Sequence, residues 1–221
     1  MSSSNQNEFS LTRYVGGMVS TNGYLCNTGS EYIAIDAPKG FYDVIQSRGV
    51  RPAALLLTHQ HYDHVEDAHL FAAAGIPIYA YAPYDPDLIL ATLAQRWGMD
   101  ITVEPYTVTN ILKGESLVKI GNTSIGLMHV PGHSTDSVVF YLAGKHVLFA
   151  GDTLFQGSVG RSDLPGGDEA LLLNGIAQKM LTLNVDIEVF PGHGDPTNVG
   201  VERQTNRFFC HLDIRTEGTI K

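Results

Sequence analysis

The chain has 221 residues, and 23 Asp and Glu against 14 Lys and Arg give it a formal net charge of −9 at pH 7. Its length suits one domain with a substantial core, and its 17% charged and 43% hydrophobic residues are typical of a globular protein rather than a disordered one. The negative charge disfavours nucleic acid as a partner, because phosphate backbones are bound by clustered Lys and Arg.

The N-terminal residues and the two cysteines indicate the cellular compartment of the protein. Residues 1–8 predict a disordered tail, without the basic region and apolar core of a secretory signal, and residues 9–221 predict a single domain. No apolar run reaches 18 residues, so no membrane partner is expected. Cys26 and Cys210 form no CxxC pattern, which indicates two buried small hydrophobes in a reducing compartment. We therefore expect a cytoplasmic protein.

Short elements precede the first polar motif. Residues 15–35 alternate β-like runs with turn-like sequences at 21–23 and 28–30, which predicts an antiparallel meander. A short helix is predicted to start at Phe41. Residues 53–57 are an unbroken apolar run that predicts a buried strand.

The segment directly after that strand carries four potential metal ligands in six residues: His59, His61, Asp63 and His64. Histidines two apart cannot share a helix face. On a loop, however, His59 and His61 can converge on one cation while Asp63 and His64 turn toward a second. Imidazole and carboxylate are the usual ligands of zinc and iron-type metals. The alternative is a polar loop in which histidines occur by chance. Three histidines around one aspartate favour a metal site instead.

Three later positions repeat one pattern, in which an apolar segment ends in a glycine-containing turn that presents one His or Asp. They are His133, Asp152 and His193, each one residue after a glycine. Glycine lets the backbone turn sharply and pass close to a metal cluster, and rigid strands commonly place functional groups on the loops at their ends. Together with the first motif, these residues predict a seven-ligand set.

The remaining elements alternate between helix and strand. Helical patterns lie at residues 68–74, at 88–97 within an insertion at 83–98, and at 170–181, where Asp168 is the predicted cap. Strands are predicted at residues 76–80, near 103, and at 117–120, 125–130, 138–142 and 185–190. The four aromatic residues Tyr79, Tyr81, Tyr84 and Trp97 could line a groove, but core or surface packing is the favoured interpretation. Ser134 and Asp136 are expected to hydrogen-bond ligand imidazoles.

The order H-x-H-x-D-H, Pro-Gly-His, Gly-Asp and Pro-Gly-His resembles the metallo-β-lactamase superfamily, and more narrowly its short, single-domain glyoxalase II (hydroxyacylglutathione hydrolase) type. The likeness runs from about Tyr14 to Phe209. It implies an α/β fold of four layers, an αββα sandwich with two mixed sheets face to face. It also implies that one metal is held by His59, His61 and His133, that a second is held by Asp63, His64 and His193, and that Asp152 bridges them.

The activity implied by the resemblance is that of a binuclear metallo-hydrolase acting on small thioesters such as S-D-lactoylglutathione. Two divalent ions, zinc first and iron or manganese as alternatives, would share a water and generate hydroxide near neutral pH. Asp63 or Asp152 would aim that hydroxide at the thioester. The β-lactamases of the superfamily generally lack the bridging aspartate, so Asp152 disfavours antibiotic hydrolysis.

Two segments decide how far the resemblance extends to the substrate. Residues 154–163 resemble the Gly-Ser-x-Gly-Arg-x-Asp stretch of the short hydrolases, which implies that Arg161 braces Asp152 or meets an anionic substrate; a plain loop is the alternative. Near its end the chain has Arg207 in place of the proline of the family's Asn-Pro-Phe segment. The glutathione-gripping residues therefore cannot be assigned, and thioester chemistry is implied without glutathione specificity.

Two other functions remain as alternatives. A persulfide dioxygenase of the same superfamily would hold one iron through His59, His133 and Asp152, the two-histidine-one-carboxylate arrangement. That family usually continues its last Pro-Gly-His with Asp-Tyr, whereas Gly194 and Asp195 follow here, so a hydrolase is favoured. A non-enzymatic binding or flavin-partnered redox module is disfavoured, because no flavodoxin-like segment is attached.

Overall fold

The computed structural model describes residues 8–114 and 116–212. All but the last residue of the tail predicted at 1–8 thus lies outside the described residues. Within the described ranges, no helix combines the length and the apolar character needed to cross a membrane.

The first sheet has six strands in the order β1-β2-β3-β4-β5-β6. The meander β1–β3 is antiparallel, as predicted, and β3 to β6 run parallel to one another. The strands are β1 Ser10–Gly16, β2 Thr21–Asn27, β3 Tyr32–Ile35, β4 Ala54–Leu56, β5 Ile78–Ala80 and β6 Asn110–Ile111.

The second sheet also has six strands, in the order β14-β13-β10-β9-β8-β7, and a separate two-stranded hairpin pairs β11 with β12. Only β10 and β13 are parallel in this sheet. The strands are β7 Ser116–Ile120, β8 Thr123–His129, β9 Val138–Leu142, β10 Val147–Gly151, β11 Leu154–Phe155, β12 Ser158–Val159, β13 Glu188–Pro191 and β14 Thr197–Asn198.

The helices are short, and seven are α-helical among the described residues: α1 Phe41–Ser47, α2 Tyr62–Val65, α3 Ala68–Ala73, α4 Pro86–Ile89, α5 Ala91–Arg96, α6 Glu169–Gly175 and α7 Val199–Thr205. A 3₁₀ turn, Ala143–Lys145, joins β9 to β10, and a π-helical turn, Ile176–Met180, continues α6. The Asp168 side chain accepts a hydrogen bond from the Leu171 N–H, so the predicted cap is confirmed.

Three apolar clusters show the layering. Tyr24, Phe140 and Phe149 belong to the cluster between the sheets. A second cluster packs the helices α1 and α3 on the outer face of the first sheet, and a third packs α6 on the outer face of the second. In β4, Leu56 faces the inner cluster and Leu55 the outer one, which explains why this strand is apolar throughout. The predicted αββα sandwich is confirmed.

Several local predictions were wrong. Residues 21–23 belong to the fully buried strand β2 rather than to a turn, and the region near Val103 is irregular. The helix predicted at 88–97 is broken by Leu90, whose φ of 57° lies in the left-handed region. Cys26 is buried as predicted, whereas Cys210 is exposed.

Candidate metal centre

The seven predicted ligands meet at one edge of the sandwich, and four separate loops deliver them. The loop after β4 and the start of α2 carry His59, His61, Asp63 and His64, and the other three residues follow β8, β10 and β13. Backbone bonds tie the two sheets together at this edge: the Val138 N–H donates to the Thr58 carbonyl at 2.7 Å, and the Asn22 N–H donates to the Gly192 carbonyl at 2.7 Å.

The ligand atoms form three overlapping groups, within each of which all the candidate atoms lie within 4.8 Å of one another. The groups are His59, His61 and His133; His59, His64 and Asp152; and Asp63, His64 and His193. The first and third groups coincide with the two ligand sets implied by the sequence.

Two carboxylates lie between the imidazole rings. Asp63 Oδ2 is 3.4 Å from His64 Nε2 and 3.2 Å from His193 Nε2. Asp152 reaches further, because its Oδ1 is 3.3 Å from His64 Nε2 while its Oδ2 is 3.5 Å from His133 Nε2 and 3.3 Å from His193 Nε2. Asp152 therefore faces nitrogen atoms of both ligand sets.

The unpaired atoms at the centre fit a cation. The Nε2 atoms of His59, His64 and His133 and the Oδ1 atom of Asp152 are buried and have no hydrogen-bond partner. Buried polar atoms are normally paired, so four unpaired ones converging on one place need an explanation. A set of imidazole nitrogens and carboxylate oxygens matches the preferences of zinc and of iron-type ions.

The charge states of two histidines suit metal binding. Burial lowers the pKa of His61 to about 3, helped by the neighbouring His133. Burial likewise holds the pKa of His59 well below its usual range, with His64 and His61 adding to the effect. Both rings are therefore neutral near pH 7, and neutral imidazole is the form that binds metals.

The two carboxylates are ionised. Burial alone would raise the pKa of Asp63, but the neighbouring His64 and His193 lower it to about 2. The same two histidines overcome burial at Asp152 and hold its pKa below the ordinary value. Burial would lower the pKa of His193, yet Asp152 and Asp63 raise it to about 10. Two anionic carboxylates thus favour positive charge at the place where the unpaired ligand atoms converge.

Asp36 supports the centre from behind and was missed by the sequence analysis. Its Oδ2 lies 2.9 Å from His64 Nδ1 and accepts a hydrogen bond from Thr58 Oγ1 at 2.8 Å, while its Oδ1 accepts one from the Thr58 N–H at 2.8 Å. It follows directly after β3, so an apolar strand ending in a carboxylate was the available signal, as at Asp152. A partner of this kind fixes the ring orientation and tautomer of a metal-binding histidine.

Two further hydrogen bonds hold candidate ligands in place. Thr21 Oγ1 donates to Asp63 Oδ2 at 2.6 Å, and His133 Nδ1 lies 2.8 Å from the Arg161 carbonyl oxygen. The prediction that Ser134 and Asp136 hydrogen-bond the imidazoles of the ligands was wrong. Ser134 donates to Asp136, which also accepts from the Gln60 amide.

Gly192 shows why a glycine precedes the last histidine. A Cβ atom built at this position would overlap Asp152 Oδ1 and would lie 2.6 Å from His64 Cε1. The absence of a side chain therefore lets β13 bring its loop against the ligand cluster, which is the close approach that glycine permits.

A pocket opens over the centre. Its polar face includes His61, Asp63, His133, Asp152 and His193, and its other face is lined mainly by apolar residues, among them Leu90, Leu93, Trp97 and Met99. Trp97 is 52% exposed, so it lies at the surface and outside the core. Tyr79 and Tyr81 pack against the inner cluster and Tyr84 against the cluster on the outer face of the first sheet, so packing is confirmed for these three.

Arg161 also lines this pocket. Its guanidinium donates to both carboxylate oxygens of Asp163, at 2.7 and 2.8 Å, and lies 5.8 Å from the centre of the Trp97 ring. Its side chain thus stands at the pocket, while its main-chain carbonyl contacts His133.

Comparisons with known proteins relate the chain to one family. A family model described as the metallo-β-lactamase superfamily matches residues 28–193. Hydroxyacylglutathione hydrolase GloC of Haemophilus influenzae is 37% identical over 158 residues, which are 70% of this chain and 74% of that protein.

Two solved structures cover more of the chain. BLEG-1, described as a B3 metallo-β-lactamase, superposes with a TM-score of 0.81 and 33% identity over 90% of this chain and 99% of its own. TTHA1623, solved in a di-iron-bound form, gives a TM-score of 0.78 and 35% identity over 90% of this chain and 100% of its own.

Proposed function

The chain belongs to the metallo-β-lactamase superfamily, and we propose that it is a binuclear metallo-hydrolase that cleaves small thioesters. The observation that carries the proposal is the position of Asp152, whose two oxygens face unpaired imidazole nitrogens of both ligand sets. The similarity to a hydroxyacylglutathione hydrolase and to a di-iron protein supports it.

In this proposal His59, His61 and His133 hold one divalent ion and Asp63, His64 and His193 hold the other, with Asp152 shared between them. Zinc is the proposed metal, with iron or manganese as substitutes that the same donor atoms accept. When bound, such a pair lowers the pKa of a shared water toward neutrality and polarises the carbonyl that is attacked.

The side chains orient the attack. Asp63 and Asp152 are the ionised groups at the centre, so either would be able to accept a hydrogen bond from the attacking water and aim its oxygen at the thioester carbonyl. Thr21 fixes one oxygen of Asp63, which keeps that carboxylate in place. A carbon–oxygen bond then forms, the carbon–sulfur bond breaks, and a carboxylic acid and a thiol are released. A thiolate leaves readily because thiol pKa values are not far above neutrality.

The proposed substrates resemble S-D-lactoylglutathione, and we expect the protein to bind the glutathione part weakly. Arg161 is the proposed substrate-binding residue, since it lines the pocket beside the polar face. A high KM is expected when few remote contacts contribute binding energy.

The test is reconstitution of the purified protein with zinc, iron or manganese in turn, followed by elemental analysis and three assays. These assays measure hydrolysis of S-D-lactoylglutathione, oxygen consumption with glutathione persulfide, and hydrolysis of a chromogenic β-lactam. We expect two metals per chain and thioester hydrolysis without oxygen consumption. An Arg161→Ala variant should have a lower kcat/KM and an unchanged metal content.

The assays also separate the alternatives. One iron per chain, with oxygen consumption and no thioester hydrolysis, would identify the persulfide dioxygenase, whose three ligands His59, His133 and Asp152 also meet here. Rapid β-lactam turnover alone would place the chain with the activity named for BLEG-1 and would show that Asp152 is no barrier to it.

A further inference from the structure

The pocket over the metal centre has an apolar side that the proposed chemistry does not use. We call the residues Leu90, Leu93, Trp97 and Met99 the apolar wall; all four line the same pocket as five of the candidate ligands. Thioester cleavage needs only the polar face, so the wall bears on which thioesters enter.

The chain builds the apolar wall by breaking a helix. Ile89 ends α4 and is buried, with 2% of its surface exposed, so it anchors the segment in the core. Leu90 then takes a left-handed φ of 57°, an uncommon conformation for a residue other than glycine. Because α5 begins directly after Leu90, Leu93 on this helix and Trp97, the residue that caps its C-terminal end, are four residues apart, the spacing that brings helical side chains to one side. A backbone outlier held beside a site is a reason to look for function.

The apolar wall is fixed to the polar face at two points. The Tyr62 hydroxyl, from the residue before Asp63, donates to Met99 Sδ at 3.4 Å. On the other side, the guanidinium of Arg161 lies over the Trp97 ring, while its carbonyl oxygen contacts His133. Arg161 forms an ion pair with Asp163, and the Trp97 ring still lines the pocket.

Trp97 is the strongest sign that a ligand covers this surface. It is the largest apolar side chain of the wall, and 52% of it is exposed beside a polar pocket. An exposed apolar patch rimmed by polar groups commonly marks a ligand-binding groove.

We infer that the apolar wall receives an apolar group of the substrate, so that the preferred substrates are thioesters carrying an aliphatic or aromatic group of several carbons. This inference rests on the proposed thioester hydrolysis. The apolar group can belong to the acyl part or to the thiol part, because both flank the carbonyl that reacts.

Two substrate series test the inference and locate the group. In one, acyl chains from acetyl to hexanoyl are carried on N-acetylcysteamine; in the other, acetyl is carried on thiols of increasing alkyl length. Each buried methylene should raise kcat/KM about fourfold until the wall is covered, and the series that rises identifies the part that binds there. A flat response in both series would overturn the inference while leaving thioester hydrolysis intact.

Variants connect the preference to the apolar wall. Trp97→Ala and Leu93→Ala should lower the ratio of kcat/KM for the longest substrate to that for the shortest by about tenfold, and Trp97→Phe should largely retain it. The control is Leu117→Ala, which truncates an exposed apolar residue on β7 and should leave the ratio unchanged. An unchanged ratio in Trp97→Ala would also overturn the inference.

A binding measurement keeps the inference separate from catalysis. Trp97 is the only tryptophan in the sequence, so the intrinsic fluorescence of the protein reports on the wall directly. An unreactive hexyl thioether should change that fluorescence at a concentration at least tenfold lower than its methyl counterpart needs. This result without any thioester turnover would refute the proposed function alone, and equal responses to both thioethers would refute the wall as the binding surface.

Discussion

Asp36→Asn tests whether His64 is a metal ligand. The Asp36 side chain is buried, with 1% exposed, and its oxygens accept from Thr58 twice and lie 2.9 Å from His64 Nδ1. Asparagine keeps one oxygen and replaces the other with an amide donor. An amide nitrogen facing Nδ1 requires that atom to accept, which moves the ring proton to Nε2, the atom facing Asp63 and Asp152.

The size of the effect follows from this change. Loss of the partner that orients a ligating histidine typically lowers metal affinity by about 10- to 100-fold, which is about 1.4–2.8 kcal/mol. The metal-free protein should also lose about 1–3 kcal/mol of its free energy of unfolding, because a buried donor loses its acceptor. Asn tolerates the φ of 55° at this position, so backbone strain adds little.

The assay is a zinc titration of metal-free protein against a competing chelator, combined with urea unfolding of the same sample. Asp67→Asn is the control, since this carboxylate is also buried, with 2% exposed, and accepts from the Tyr42 N–H at 3.0 Å. The control should lose stability and keep its zinc affinity. If Asp36→Asn binds two zinc ions as tightly as the unmodified protein, His64 is not a ligand oriented by Asp36.

Three other variants test separate features. Asp152→Ala should abolish turnover and leave at most one tightly bound metal with an unchanged circular dichroism spectrum, and near-normal turnover would contradict the two-metal mechanism. Gly192→Ala should lower turnover at least tenfold because its Cβ would overlap Asp152, whereas Gly144→Ala, where a Cβ would meet no atom within 4 Å, should not. Glu202→Ala should lower the free energy of unfolding in urea by about 2–4 kcal/mol, because this buried carboxylate accepts three hydrogen bonds, including one from the Gly157 N–H at 2.9 Å; an unchanged urea midpoint would refute that role.

The strands and the loops that end them were predictable because both signals are local. The apolar run at 53–57 contains β4, and the polar residues after it begin where the strand ends. The same pattern at Asp152 and His193 was enough to place these residues near the first motif, since strands of packed sheets deliver their loops to a common edge.

Residues 21–23 show what local chemistry cannot reveal. Thr, Asn and Gly in succession are typical of a turn, yet here they form the buried start of β2. Their polar side chains are satisfied by distant parts of the chain: Thr21 donates to Asp63, and Asn22 donates to the Pro191 carbonyl at 2.9 Å. Only the folded site explains why such residues occupy a strand. The break at Leu90 is likewise invisible to local propensity, because leucine is a strong helix former and yet its φ of 57° here lies in the left-handed region.

The division of the ligand groups between the two sheets has a consequence for the life of the protein in a cell. The loops of the first sheet supply His59, His61, Asp63 and His64, whereas His133, Asp152 and His193 come from the second. In the proposed centre neither half can hold both ions alone, so a ribosome must deliver the chain beyond His193 before loading is complete. Ions that bind only the assembled protein raise its apparent stability in proportion to the logarithm of their free concentration. Metal scarcity should then shorten the lifetime of the protein as well as abolish its activity. The supply of the ion would therefore set the amount of folded protein in the cell.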